Sequence, residues 1–315
     1  MDRGIDDGPR RLPEGAAPAD YIFLLRPTIL IPVWTFFLLG ASHGATRGGA
    51  PALIIGLACF TAMMGAVYIV NQIVDRDSDR ANGKLFLIPH GIVSLRGAWT
   101  ETAILIAASV AAAALTLSPA FVVVLAVGLL LGLGYSLEPV RLKRRPVLDL
   151  VASGLGSGVI NTLAGWTAVG APLRGLLVLA PYPLAVASVH LLTTLADLDG
   201  DAACGLRTSG VALGRRRGTM VAGVLMTASA GAAAAVGNVA ALVCAIVSLP
   251  LMIVASRGGR SAGPRSVLMP AHAATLAYSA AAAFYHPLYL AWLAGVLLLT
   301  RLYYSRRFGL RYPSL

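Results

Sequence analysis

Fourteen acidic residues in a chain of 315 are few enough to place one by one. Six of them form two triplets, Asp75/Asp77/Asp79 and Asp197/Asp199/Asp201, far apart in sequence. Asn71, Asp75 and Asp79 recur at i, i+4 and i+8. On an α-helix each such step advances ~400° and drifts by only ~40°. The three therefore make a polar ladder on one face, and Asp77 points the other way. Asp197 and Asp201 repeat the i, i+4 spacing. Like charges at that separation repel one another, and carboxylates next to an apolar segment persist where something compensates them. A divalent cation is one such compensation. An all-oxygen set without His or Cys suits Mg2+, which keeps several waters and completes its shell from substrate phosphates. The plainer alternative is a set of solvated loop acids paired with Arg76, Arg80 and Arg207.

A phosphate-bearing substrate also needs direct neutralisation, which Arg and Lys supply. The run from Tyr135 and Ser136 through Glu138, Pro139, Arg141, Lys143, Arg144 and Arg145 closes one apolar stretch. Taken alone, it is an ordinary topology signal. Arg26, followed by Pro27, lies five residues into an apolar run, so it must snorkel or meet something anionic. His190, two helical turns before Asp197, shares that face and is either a cavity residue or a structural one. Asn161 and Trp166 stay open in the same way. Glu101, Glu138 and Asp149 are isolated acids, and Asp2, Asp6, Asp7, Glu14 and Asp20 lie near the N-terminus.

These residues must be positioned by membrane helices. Hydrophobic residues make up 57% and charged ones 12% of the chain, and the mean hydropathy is +0.76. Soluble domains carry about 25% charged residues. Disorder, collagen and a disulfide scaffold are excluded; Cys59, Cys204 and Cys244 are too widely spaced for a metal knuckle. Apolar stretches of spanning length fall at 21–41, 51–74, 98–117, 119–136, 147–169, 173–196, 218–236, 238–256, 267–285 and 287–305. The division at His286-Pro287 is the least marked. The net charge of +11 does not signal nucleic acid, because the basic residues sit in short clusters between apolar runs. With the N-terminus in the cytoplasm, 23 of the 25 Lys and Arg residues fall on the cytoplasmic side, and only Arg47 and Arg174 do not. Ten spans with both ends inside fit that asymmetry better than nine. The expected organisation is a disordered arm over 1–20 without the pattern of a secretory signal, one transmembrane domain over 21–305, and a basic tail over 306–315.

Together these motifs resemble the UbiA superfamily of intramembrane prenyltransferases, from about Arg26 to Gly214. The family carries an Asn-Asp-x-x-Asp-x-x-x-Asp motif after its second helix, matched by Asn71, Asp75 and Asp79, and an Asp-x-x-x-Asp motif after its sixth, matched by Asp197 and Asp201. Arg26-Pro27, the Tyr135–Lys143 run and Gly200-Asp201 through Gly205, Arg207, Thr208 and Gly214 are also similar. The resemblance implies an all-α transmembrane bundle of nine or ten spans around a central cavity open to the cytoplasmic side and to lipid. It implies transfer of a polyisoprenyl group from its diphosphate to a small acceptor in a cell membrane, expected to be bacterial. Asn71, Asp75, Asp79, Asp197 and Asp201 would bind Mg2+, two ions bridging to the diphosphate. Arg26, Lys84, Arg141, Lys143 and Arg207, with Asn71, would meet the substrate, and Tyr135 would stabilise an allylic cation. Gln72 stands where the family has its first Asp, leaving that metal contact weaker or to water. The segment from Lys84 through Pro89, His90 and Gly91 replaces an Arg-Pro-x-x-x-Gly stretch, with Lys84 in place of the missing Arg.

Two other classes use the same features. A terpene cyclase of the same superfamily would ionise the diphosphate and trap the cation within the substrate. A transporter would bind coupling ions at the acids, but transporters place them near the midplane in broken helices, whereas here they sit at helix ends. Acceptor, donor chain length and oligomeric state are not encoded legibly.

Overall fold

The computed structural model describes residues 13, 15–44, 49–81, 87–257, 264–310 and 312, and every regular element among them is helical. The chain opens with a short α1 (Pro18–Leu24), breaks at Arg26, and continues as α2 (Pro27–His43) at 49° to it. The long α3 (Gly49–Ala81) carries the first acidic triplet in its last turns. Next come α4 (Leu95–Thr116) and α5 (Pro119–Ser136). Ser94 and Ser118 cap them by accepting from Gly97 N and Phe121 N. The following crossing is composite: α6 (Leu148–Ser153), a π-helical turn over Gly154–Ile160, and α7 (Asn161–Ala168). Then α8 (Pro181–Ala196) leads into the short α9 (Leu198–Ala203), which holds Asp199 and Asp201. The last four helices are α10 (Ser209–Ala235), α11 (Val239–Arg257), α12 (Pro264–Tyr285) and α13 (Leu288–Phe308).

The ten apolar stretches read from the sequence are largely helical, with 21–41 interrupted at Leu25-Arg26 and 173–196 entering through a 3-10 turn, and the chain does break at His286-Pro287. Among the described residues, seven helices are individually long and apolar enough to cross a bilayer, and the bent pair α1–α2 makes an eighth. The apolar part of α11 is shorter, and the π turn divides α6 from α7. Both ends of the expected domain need correction. Helix reaches back to Pro18, and Asp20, expected in a disordered arm, is fully buried. Arg306 and Arg307, expected in a tail, belong to α13. The cause is shared, because Arg307 and Asp20 pair with each other across 287 positions. Similarly, α10 begins at Ser209 rather than at 218, with Gly214 (φ 68°) joining its two parts.

In lipid, helices gain little by hiding apolar surface from one another; close backbone approach and interhelical hydrogen bonds hold them together. Both are present. Where α2 crosses α7, a Cβ on Gly40 would lie 1.9 Å from the Thr162 carbonyl oxygen, and one on Gly165 would lie 1.8 Å from that of Phe37. Against α8, a Cβ on Gly158 of the π turn would meet Pro183 Cα at 2.4 Å. Buried hydroxyls bridge helices as well: Ser109 donates to Cys59 O at 2.8 Å, Ser188 to Ala222 O at 2.7 Å and Ser229 to Pro181 O at 2.8 Å. Outward, Leu115 is 85% and Leu288 86% exposed, as suits an acyl-chain solvent.

One buried carboxylate joins two loops at the basic end. Asp149 is 1% exposed and accepts from Ser209 N at 2.7 Å, from the Ser209 hydroxyl, and from Leu150 N at 2.8 Å. The Ser209 oxygen in turn accepts from Val147 N at 2.8 Å. The carboxylate thus caps the positive end of α10 and ties the segment after α5 to the segment after α9.

The α2–α7 crossing yields a direct test. Gly165→Leu is expected to lower stability by about 3 kcal/mol, since overpacking here strikes backbone rather than a movable side chain. Gly231→Ala, which meets nothing within 4 Å, should leave stability unchanged or slightly raised. Thermal unfolding in detergent, followed by size-exclusion chromatography, separates the two.

Candidate active site

Both acidic motifs and the basic loop end up at one end of the bundle, because α3, α5 and α8 all terminate there and α2 starts there. The first ladder keeps its helical phase. Asn71 donates its amide to Ser136 Oγ at 2.9 Å, which ties α3 to the end of α5. Asp75 is paired with two cations: Lys143 Nζ on Oδ2, and Arg141 Nη2 at 3.5 Å from Oδ1. Side-chain exposures of 14–19% keep water from screening this cluster fully. Arg141 also reaches the exposed Glu138 at 2.8 Å, and that hydrogen bond holds the Glu138 carboxyl below its usual range. Burial pushes the Lys143 ammonium below the usual lysine range, against the hydrogen bond and charge of Asp75. Asp79 lies one turn beyond Asp75, half-buried.

The second motif departs from a continuous helix. Asp197 is the joint between α8 and α9, exposed, at φ −89° and ψ 2°. The i, i+4 relation survives in the backbone, where Asp201 N donates to Asp197 O at 2.9 Å. Asp201 accepts from the Thr208 hydroxyl at 3.3 Å. Asp77 and Asp199 point outward and pair with Arg76 at 3.3 Å and Arg215 at 2.6 Å, as their helical phase predicts. The arginine expected as an alternative partner, Arg207, is exposed in the loop after α9.

Tyr135 relates the two motifs in space. On the last turn of α5, it lies within electrostatic range of Asp75 on α3, of Asp201 on α9, of Asp149 and of Tyr68. Two acidic groups more than a hundred residues apart in sequence thus act electrostatically on one phenol. Arg26 caps α2 and lies within electrostatic range of Tyr68. The non-glycine residues with positive φ among those described are Arg26 (57°), Arg141 (37°) and Val147 (70°). All three flank this end of the bundle, where backbone strain is characteristic of functional sites. Lys84 lies outside the described residues.

The donors that converge here are oxygens. Among the described residues, no three His, Cys, Asp or Glu side chains already close around one point. All-oxygen donors suit a hard cation such as Mg2+, which completes its shell with waters and phosphate oxygens.

Tyr68 and Asp149 were not singled out from the sequence as parts of this arrangement. Tyr68 was legible, since 68, 71, 75 and 79 continue one helical stripe. Asp149 was not, nor was the partner of Ser136 in the Tyr135–Lys143 run, because those partners come from other helices. His190 has a buried Nε2 without a hydrogen-bond partner, and Asn161 has two such amide atoms. Trp166 is structural, its indole donating to Pro172 O at 3.1 Å.

Known proteins resemble this chain in sequence and in fold. The family model described as "UbiA prenyltransferase family" matches residues 29–262. Digeranylgeranylglyceryl phosphate synthase of Halobacterium salinarum is 31% identical over 222 residues, covering 66% of this chain and 74% of its own length. The bacteriochlorophyll synthase 34 kDa chain of Chloroflexus aurantiacus is 31% identical over 202 residues, 62% of this chain and 64% of that protein. Among solved structures, a UbiA homologue from Archaeoglobus fulgidus bound to GPP and Mg2+ superposes with a TM-score of 0.68. It is 22% identical and covers 84% of this chain and 98% of its own. The apo UbiA homologue from Aeropyrum pernix gives 0.65 at 22% identity, covering 81% and 96%. At those identities the structures establish the fold. The family match over most of the chain establishes more: this protein belongs to the UbiA prenyltransferase family and is a multi-pass membrane enzyme of prenyl transfer.

Proposed function

We propose that the chain transfers a polyisoprenyl group from its diphosphate to a small acceptor, with Mg2+ assistance, at the cytoplasmic boundary of the membrane. The observation that carries this reading is that Asp75, held by Lys143 and Arg141, and Asp201 both lie within electrostatic range of Tyr135. A prenyl diphosphate has one end for lipid and one for water, and a site at the end of an apolar bundle serves both. The relative structure bound to GPP and Mg2+ supports the same substrate chemistry here.

Asn71, Asp75, Asp79, Asp197 and Asp201 would hold the metal, two ions in all. When bound, Mg2+ supplies Lewis-acid neutralisation of the leaving diphosphate. Lys143 and Arg141 are already held beside Asp75, so cations and metal ligands share one locus for the diphosphate oxygens. Arg26, Arg207 and Lys84 would complete the neutralisation from the neighbouring segments. Tyr135 would stabilise the developing allylic cation through the quadrupole of its ring. The apolar helices exclude water, which would otherwise capture that cation. The acidic motifs lie at helix ends, which favours this reading over ion-coupled transport.

Asp75→Asn and Asp197→Asn are each expected to reduce pyrophosphate release from geranylgeranyl diphosphate by about a hundredfold or more, with unchanged insertion and purification. Near-normal release by both variants would contradict the metal assignment. In the wild type incubated with Mg2+ but no acceptor, a cyclic hydrocarbon product would replace transfer with cyclisation.

Orientation is testable on the native cysteines. Cys204 is exposed at the basic end, whereas Cys59 and Cys244 are buried. A membrane-impermeant maleimide is expected to label Cys204 in inverted vesicles and not in intact cells. The opposite pattern would place the basic end outside.

A further inference from the structure

Gln72 occupies the motif position at which the family has an Asp, and its side chain does something a carboxylate there would not. It is 2% exposed and donates to Leu24 O at 2.8 Å and to Tyr68 O at 3.1 Å. Both partners are carbonyl oxygens, so only the NH2 end of the amide can serve them. An ionised Asp has no donor to offer either one.

Leu24 is the last residue of α1, two positions before Arg26. At a helix end the final carbonyls lack helical partners, and Gln72 satisfies one of them from α3. Immediately afterwards the chain bends by 49°, with Arg26 in the left-handed region at φ 57° and ψ 65°. That conformation is unfavourable for a side-chain-bearing residue and persists where its surroundings hold it. A second set of contacts holds the other end of α1. Asp20, fully buried, accepts from Tyr303 Oη at 2.6 Å and from Arg307 at 2.9 and 3.2 Å, while Phe23 stacks on Tyr303 at 3.8 Å. The short helix is pinned to α13 at its start and to α3 at its end.

We infer that Gln72 is a positioning residue: by holding the Leu24 carbonyl it fixes the bend that presents Arg26 to the diphosphate, instead of acting as a metal ligand. This rests on the prenyl-diphosphate reading and adds to it a specific path, from α3 through the end of α1 to Arg26. It also accounts for an amide at the position where the family motif has its first Asp, since the side chain there supports backbone and not metal.

The test is a double-mutant cycle read by binding of geranylgeranyl diphosphate in the presence of Mg2+. Gln72→Glu keeps the size and loses the donors, and is expected to weaken binding about tenfold. Arg26→Gln should weaken it to a similar extent, and the double variant should bind no more weakly than Arg26→Gln alone, because contacts acting through one another are not additive. The Mg2+ concentration giving half-maximal binding should be unchanged in Gln72→Glu. Gln72→Met, of similar length and without charge, should behave alike and serves if the carboxylate variant does not fold. Unchanged binding in the Gln72 variants, losses that multiply in the double variant, or a lowered Mg2+ requirement in Gln72→Glu would each overturn the inference. Failure of the wild type to bind the probe at all would instead overturn the prenyl-diphosphate reading.

Discussion

Negative charge at the rim of an apolar bundle has to be compensated, and the architecture of this protein follows from how that is done. Asp75 is flanked by Lys143 and Arg141, Asp20 by Arg307 and Tyr303, and Asp149 by the amide and hydroxyl of Ser209. Removing one partner from such a partly buried group leaves the other poorly solvated, at a cost of several kcal/mol. Each compensation joins segments distant in sequence. The charges therefore act as fasteners between helices that lipid gives little reason to associate, and small residues allow the close crossings. Asp75 differs from the other two in having two cationic partners, Lys143 and Arg141, from the basic loop after α5. Asp20 is fully buried and Asp149 nearly so, whereas the Asp75 side chain keeps 19% of its surface exposed.

The parts of this arrangement that were legible in the sequence are those encoded locally. The spacing of Asn71, Asp75 and Asp79 required only an intact helix, and α3 runs unbroken through all three. The outward orientation of Asp77 follows from the same phase. The apolar stretches gave the helices because a bilayer leaves the backbone little alternative. Where the helix is interrupted the face is too: Asp197 is a joint between α8 and α9, so the second motif is not one continuous face, although Asp201 N still bonds to Asp197 O.

What stayed hidden depended on partners supplied from elsewhere. Asp20 sits in a polar, proline-containing segment that reads locally as disordered, and its long-range partners, Arg307 and Tyr303, come from the far end of the described chain. Asp149 looked isolated because Ser209 is 60 residues away. Gln72 looked like a weakened metal ligand, since the neighbouring motif defines that position as acidic; the carbonyl that it serves belongs to α1. In each case residue type was visible and the compensating group was not.

The account stands on both acidic motifs gripping one diphosphate. Anomalous diffraction from crystals grown with Mn2+ and a non-hydrolysable prenyl thiodiphosphate addresses that most directly. Metal peaks contacted by carboxylates from both α3 and the α8–α9 joint, with the phosphorus atoms between them, are the predicted result. Metal confined to one motif, or a diphosphate bound away from Lys143 and Arg141, would contradict it.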